Sequence, residues 1–193
     1  MSTNSGAKPK KIDSRVRRTR NALGDALIAL IQERPFDSIT VQDVLKRANV
    51  GRSTFYVHYR DKDDLFLSDV EEFLELAATA LSRKKEKSER VAPVKEFFAH
   101  VRDGAKLYKA LTASGKLNDF MELARGHFAR GIKQRLKEIP RSQAIPVEKR
   151  EVLAHALSSA LLSLLSWWIE HGCNEAPAAM DETFHRLVWK GIA

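Results

Sequence analysis

Arg52, Ser53 and Thr54 stand together at the leading end of a short predicted helix, and residues of these types can bind nucleic acid. A guanidinium can pair bidentately with a guanine edge, and short hydroxyl side chains reach base edges or phosphate oxygens. Val57, farther along the same segment, has the apolar surface to touch a thymine methyl. Arg52, Ser53 and Val57 are therefore the candidate base readers. Thr40, Thr54, Tyr56, His58 and Lys62 are the candidate phosphate contacts. For Tyr56 two placements stay open: a ring in the core, or a hydroxyl turned to phosphate.

Such a set works only if a helix presents its first turn to a groove, and the flanking residues supply that frame. Thr40 with Asp43 three residues on is a capping-box start. Val41, Val44, Leu45 and Ala48 follow at helical spacing and predict a helix over 41–48. Asn49-Val50-Gly51 breaks it, since Asn and Gly tolerate left-handed backbone. The next helix is expected over 52–58. Helix, tight turn, helix with a polar and basic leading end is the geometry of a DNA-reading helix-turn-helix.

Ala48, Val50, Ser53-Thr54-Phe55-Tyr56, His58-Tyr59 and Asp61-Lys62-Asp63-Asp64-Leu65 resemble the signature of the tetracycline-repressor (TetR/AcrR) family of bacterial one-component regulators. The signature covers the first third of the chain. Gly51 departs from it, because the family usually has Ser or a similar N-cap there. The resemblance implies an all-α chain. It would have an N-terminal three-helix helix-turn-helix DNA-binding domain and a C-terminal helical regulatory and dimerisation domain. It also implies that Phe55 and Tyr59 pack inward.

Charge supports the same end of the molecule. The 193 residues carry a net charge of +8. Residues 1–62 hold 13 Lys/Arg against 6 Asp/Glu, and the remaining 131 hold 20 against 19. A basic excess confined to the helix-turn-helix end is the footprint of a phosphate-binding surface. One cysteine, Cys173, excludes an intrachain disulfide framework and fits a reducing cytoplasm; it reads as a packing residue or a reactive thiol. The longest apolar run, near Leu161–Ile169, is interrupted by Ser163 and Ser166, so no membrane partner is expected. The segment MSTNSGAKPKK lacks the apolar stretch of a secretory signal.

Domain boundaries are expected as follows: residues 1–12 a disordered basic arm, 13–60 the DNA-binding domain, 61–193 the ligand-binding and dimerisation domain. Lys8, Lys10, Lys11, Arg15, Arg17 and Arg18 make an arm able to reach the DNA backbone or a minor groove, or a plain disordered tail. Further helices are expected from Ser14 to before Pro35, over 61–83, from Pro93 through Val101, around Leu107–Leu111, over 118–138, over 147–171 and from Pro177 to Lys190. The run Arg83–Arg90, RKKEKSER, reads as a solvated helix end and loop.

In the segment 147–171, leucines form one stripe and small residues a second, which would let another helix approach closely. With the last helix this suggests the family's four-helix dimer interface, carried by Ser159, Ser163, Phe184, Leu187 and Val188; a plain core helix has the same periodicity. By resemblance some aromatics line an inducer cavity, and Tyr108, His127 and Trp168 are the choices. Each pairs an apolar body with a polar handle. Adjacent Trp167 and Trp168 point about 100° apart on a helix, so one cavity takes at most one of them, here Trp168.

No HExxH, G-x-S-x-G, Walker A or G-x-G-x-x-G motif occurs, and no metal-ligand spacing; no catalytic residue, metal or cofactor is expected. The function implied is a cytoplasmic, homodimeric transcriptional regulator, nucleoid-associated when DNA-bound. It would be a repressor that leaves a near-palindromic double-stranded DNA operator on binding an apolar or aromatic inducer. A ligand-independent nucleoid or cell-division regulator is the alternative, and a helical small-molecule-binding protein or enzyme the more distant one.

Overall fold

In the computed structural model, which describes residues 14–190, every regular element is helical. α1 (Ser14–Glu33), α2 (Val41–Ala48) and α3 (Arg52–His58) form the N-terminal unit, with a 3-10 turn at Phe36–Ser38 joining α1 to α2. α4 (Lys62–Ala78) leads out of it, followed by the single turn α5 (Ala80–Arg83). Then come α6 (Val94–Asp103), α7 (Ala105–Ala113), α8 (Lys116–Glu138), α9 (Val147–Glu170) and α10 (Pro177–Lys190). Residues 1–13 and 191–193, with the basic arm up to Ile12, lie outside the described residues.

Periodicity explains the main packing. α1 buries Leu23, Ala26, Leu27, Leu30 and Ile31, a stripe at three- and four-residue spacing, against α2, α4 and α7. α8 and α9 lie along one another, and α4 crosses α8 from the other side. One continuous apolar core runs from Leu23 to Phe184.

The helix expected over 61–83 breaks at Thr79. Its hydroxyl donates to the Glu75 carbonyl (2.6 Å), the back-bonding that bends helices. α8 crosses at this point with almost no side chain between the backbones: a Cβ on Gly131 would lie 2.3 Å from the carbonyl oxygen of Ala78. Two expectations about surface segments also change. α9 has an 18-residue window of mean hydropathy 1.6, so by length and composition it could cross a membrane, contrary to the reading of its serines as interruptions. One third of that window is buried within the chain, through its long contact with α8. The charge run after α5 is held at its far end. Arg135 of α8, 4% exposed, donates to the carbonyls of Ser88 (2.6 Å) and Arg90 (3.0 Å). Arg90 itself bridges Glu96 (2.5 Å) and Asp181 (2.8 Å), while Lys84, Lys85 and Lys87 stay exposed.

The α4–α8 crossing gives a direct test. Gly131→Ala should lower the unfolding free energy by about 1–3 kcal/mol, because a methyl group must push two backbones apart. Gly126→Ala on the same helix would meet only the Arg130 guanidinium, at 3.6 Å, and should leave the urea midpoint unchanged or higher.

Candidate functional site

The helix-turn-helix is assembled by local chemistry. The Thr40 hydroxyl accepts from the Asp43 N–H (3.2 Å), and the Asp43 carboxylate accepts from the Thr40 N–H (2.8 Å) and hydroxyl (2.6 Å). These bonds hold the Asp43 carboxyl below its ordinary range. Asn49 ends α2 in the left-handed conformation, φ 52°, and the Val50 N–H returns to the Leu45 carbonyl (3.1 Å). α3 then emerges with Phe55 buried on its inner side, edge-on to Tyr56 and tilted against Tyr59. Tyr59 is also buried, and its hydroxyl accepts from Arg20 Nε of α1 (3.1 Å).

The outer side of α3 is the candidate nucleic-acid face. Arg52, Ser53, Thr54, Tyr56 and Val57 are all exposed there, and His58 is half-buried. Val57 is 77% exposed, more than any other large apolar residue described. The Arg52 guanidinium lies over the Tyr56 ring, 5.5 Å from its centre, a cation–π contact that holds the arginine along the helix. Thr40, at the start of α2, is exposed, and Arg15, Arg17 and Arg18 project from the exposed side of α1.

Lys62 differs from the expected phosphate contact. Its ammonium donates to the carbonyls of Phe36 (2.8 Å) and Ile39 (2.8 Å), with Asp37 at 3.4 Å, and lies 4.5 Å from the Phe36 ring centre. It therefore closes the 3-10 turn between α1 and α2 onto the start of α4. Lys116, at the start of α8, meets the same ring at 4.9 Å and pairs with Asp63 (2.8 Å).

A cavity of about 260 Å³ lies beneath this joint. Its walls are Ile28 of α1; Phe66, Asp69, Val70 and Phe73 of α4; His100 of α6; Leu107, Tyr108 and Leu111 of α7; and Phe120 of α8. Tyr108 is the one expected cavity residue found there. Burial raises its phenol pKa, keeping it neutral, and lowers that of the His100 imidazole. His127 faces elsewhere, its Nδ1 lying 3.3 Å from Glu75 and 2.9 Å from Arg130. Trp168 is fully buried against Phe98, and its indole N–H donates to the Glu175 carbonyl (3.0 Å). Trp167 is on the outer surface, stacked on His171.

Two family models match the chain. One, described as bacterial regulatory proteins, tetR family, covers residues 23–68. The other, described as a transcriptional regulator C-terminal region, covers residues 93–190. The chain belongs to the tetR family of bacterial regulatory proteins. The matched families and relatives are described as transcriptional regulators. It is 42% identical over 59 residues to the uncharacterized HTH-type transcriptional regulator YxbF of Bacillus subtilis (strain 168). That match spans 30% of this chain and only 16% of the relative's length. A solved TetR transcriptional regulator from Streptococcus agalactiae 2603V is similar at 27% identity, TM-score 0.56, over 91% of this chain and 96% of that one. The fold is shared with the fatty acid degradation regulator FadR from Bacillus halodurans, at TM-score 0.67 and 17% identity over 96% and 98% of the two chains.

Val152, Ala156, Ser159, Ser163 and Trp167 form one exposed stripe along α9. Leu187 of α10 is 44% exposed. Phe184, expected in the same interface, is instead a core residue, 1% exposed, and Val188 packs half-buried against that core. Cys173 is partly buried, which raises its thiol pKa and keeps it protonated.

Asp69 was missed in the sequence, although a signal exists. Leu65, Phe66, Asp69, Val70 and Phe73 share the inward side of α4, and Asp69 is the carboxylate among them. Burial pushes its pKa up to about 7, against a lowering effect from Arg20. A raised carboxyl pKa means that the protonated form folds better. Stability is therefore lost as pH climbs from the unfolded value, about 3.9, through 7. Asp69→Asn should raise the unfolding free energy by about 2–4 kcal/mol at alkaline pH, with a smaller gain under acidic conditions. Denaturant titrations of both proteins at two pH values check this.

Proposed function

We propose that this regulator works as a cytoplasmic homodimer. It holds a near-palindromic operator through two α3 helices and releases it when a small molecule fills the α1–α4–α6–α7–α8 cavity. The observation that carries the reading is that the cavity wall and the reading head share side chains. Phe66 lines the cavity and meets Phe36 edge-on, ring centres 5.7 Å apart. Phe36 belongs to the turn that positions α2, and both Lys62 and Lys116 grip it. An occupant that moves Phe66 moves that turn, and with it the orientation of α3. Release requires that the ligand bind the off-operator arrangement more tightly than the operator-bound one.

The exposed α9 stripe supports the dimer. Small residues at Ala156, Ser159 and Ser163 permit close helix approach, and Val152, Trp167 and Leu187 are apolar surface for a second copy to cover. A solvent-exposed stripe of this kind on a 24-residue apolar helix fits burial against an identical helix. The similar fold of a fatty acid degradation regulator bears on architecture alone.

Arg52 and Lys62 should separate reading from positioning. Arg52→Ala should weaken binding to the operator by about 1–3 kcal/mol and to a random duplex much less, with stability unchanged. Lys62→Met strips the carbonyls of Phe36 and Ile39 of their donor. It should lower stability by about 1–3 kcal/mol and weaken both duplexes alike. Equal losses on both duplexes for Arg52→Ala would remove it from the base readers.

Ser159→Glu should split the dimer, because a buried unpaired charge is costly. Sedimentation equilibrium at micromolar concentration is the check, and a monomeric parent protein would sink the dimer.

A further inference from the structure

The cavity wall includes one acidic residue, Asp69. Asp69 makes no hydrogen bond or ion pair among the described residues. The nearest cation, Arg20, directs its donors to the Tyr59 hydroxyl (3.1 Å) and Ser68 Oγ (3.1 Å), with Glu72 at 3.6 Å. The other charged groups acting on Asp69 are acidic: Asp25 of α1 and Glu72 of α4. Across the cavity are His100, disfavoured from protonation by burial, and Tyr108, held as a neutral phenol. The remaining wall is aliphatic or aromatic. Phe73 stacks on His100 with ring centres 4.3 Å apart, and Tyr108 meets Phe120 edge-on at 5.4 Å.

A lone carboxyl among aromatic rings has one complementary charge. An ammonium would supply the missing counter-ion and would also be attracted by the rings. A carboxylate or phosphate in the same volume would meet Asp69 as a like charge with no cation facing the cavity. We propose that the cavity takes an apolar molecule bearing a single positive charge, an alkyl- or arylammonium, with its cation against Asp69. This rests on the cavity being the effector site and adds the chemical class of the effector. The pairing also reaches α1. Asp69 Oδ2 lies so close to Gly24 that a Cβ there would be 2.0 Å away. A cation that draws the carboxylate toward the cavity changes the contact between α4 and the first helix of the reading head.

The probes are benzyltrimethylammonium, its uncharged isostere neopentylbenzene, and decanoate, titrated calorimetrically into the full-length protein and into Asp69→Asn. The permanent charge of the first probe leaves Asp69 as the group whose titration is read. The parent protein should bind the cation more tightly than either other probe, with affinity rising about tenfold from pH 6 to pH 8 as Asp69 ionises. Asp69→Asn should lose about tenfold or more for the cation, become insensitive to pH, and keep its affinity for neopentylbenzene, which shows that the cavity is intact. If neopentylbenzene or decanoate binds the parent protein as well as the cation does, or Asp69→Asn leaves cation affinity unchanged, the charge class is overturned and the cavity reading stands. If none of the three binds, the cavity itself is overturned as an effector site.

Discussion

One helix, α4, must satisfy two packing partners at once. Its first turns belong to the reading head: Asp61 caps it, Lys62 binds the carbonyls of Phe36 and Ile39, and Leu65 and Phe66 are buried. Its last turns belong to the larger bundle, where Ala78 meets the Gly131 backbone of α8. A helix is stiff along its axis because its hydrogen bonds form one continuous ladder. A displacement at its bundle end is therefore carried to the reading head as a rigid shift. The coupling invoked for this regulator depends on that stiffness and on the Phe66–Phe36 contact at the joint.

The charged groups taken partly or wholly out of water fall into two kinds. Arg135 and Arg90 are fully engaged: one caps loop carbonyls, and the other is held between Glu96 and Asp181, with Asp181 also accepting from the Lys95 N–H (3.0 Å). Such pairs offset their own desolvation and pin α10 to the start of α6. Asp69 has no such compensation, and its ionisation is disfavoured where it stands. A fold that engages Arg90 and Arg135 so fully, yet leaves Asp69 beside an apolar cavity without a partner among the described residues, keeps that carboxyl available for another molecule.

Val57 on α3 and Val152 and Trp167 in the α9 stripe are apolar residues turned to solvent. Neither group contributes to the core. The first is surrounded by Arg52, Ser53, Thr54 and Tyr56, a polar and basic setting suited to DNA. The second has small neighbours and few charges, a setting suited to another helix.

Local rules were enough to read much of this chain. The Thr40–Asp43 capping box, the left-handed Asn49, the extents of α2 and α3 and the inward Phe55 and Tyr59 all depend on residues within a turn or two of each other. Basic charge gathered in residues 1–62 marked the helix-turn-helix end. Tertiary structure alone decided where long or amphipathic side chains turn. Lys62 finds its acceptors 23 and 26 residues away, and Trp168 is covered by Phe98 while its neighbour faces solvent. Phe184 has the same helical spacing as an interface residue but is enclosed by the chain's own core. The position of Asp69 in a cavity wall required five helices to converge. Periodicity shows that a helix has a face; which neighbour covers that face is set by how the helices cross, and that information is distributed over the whole chain.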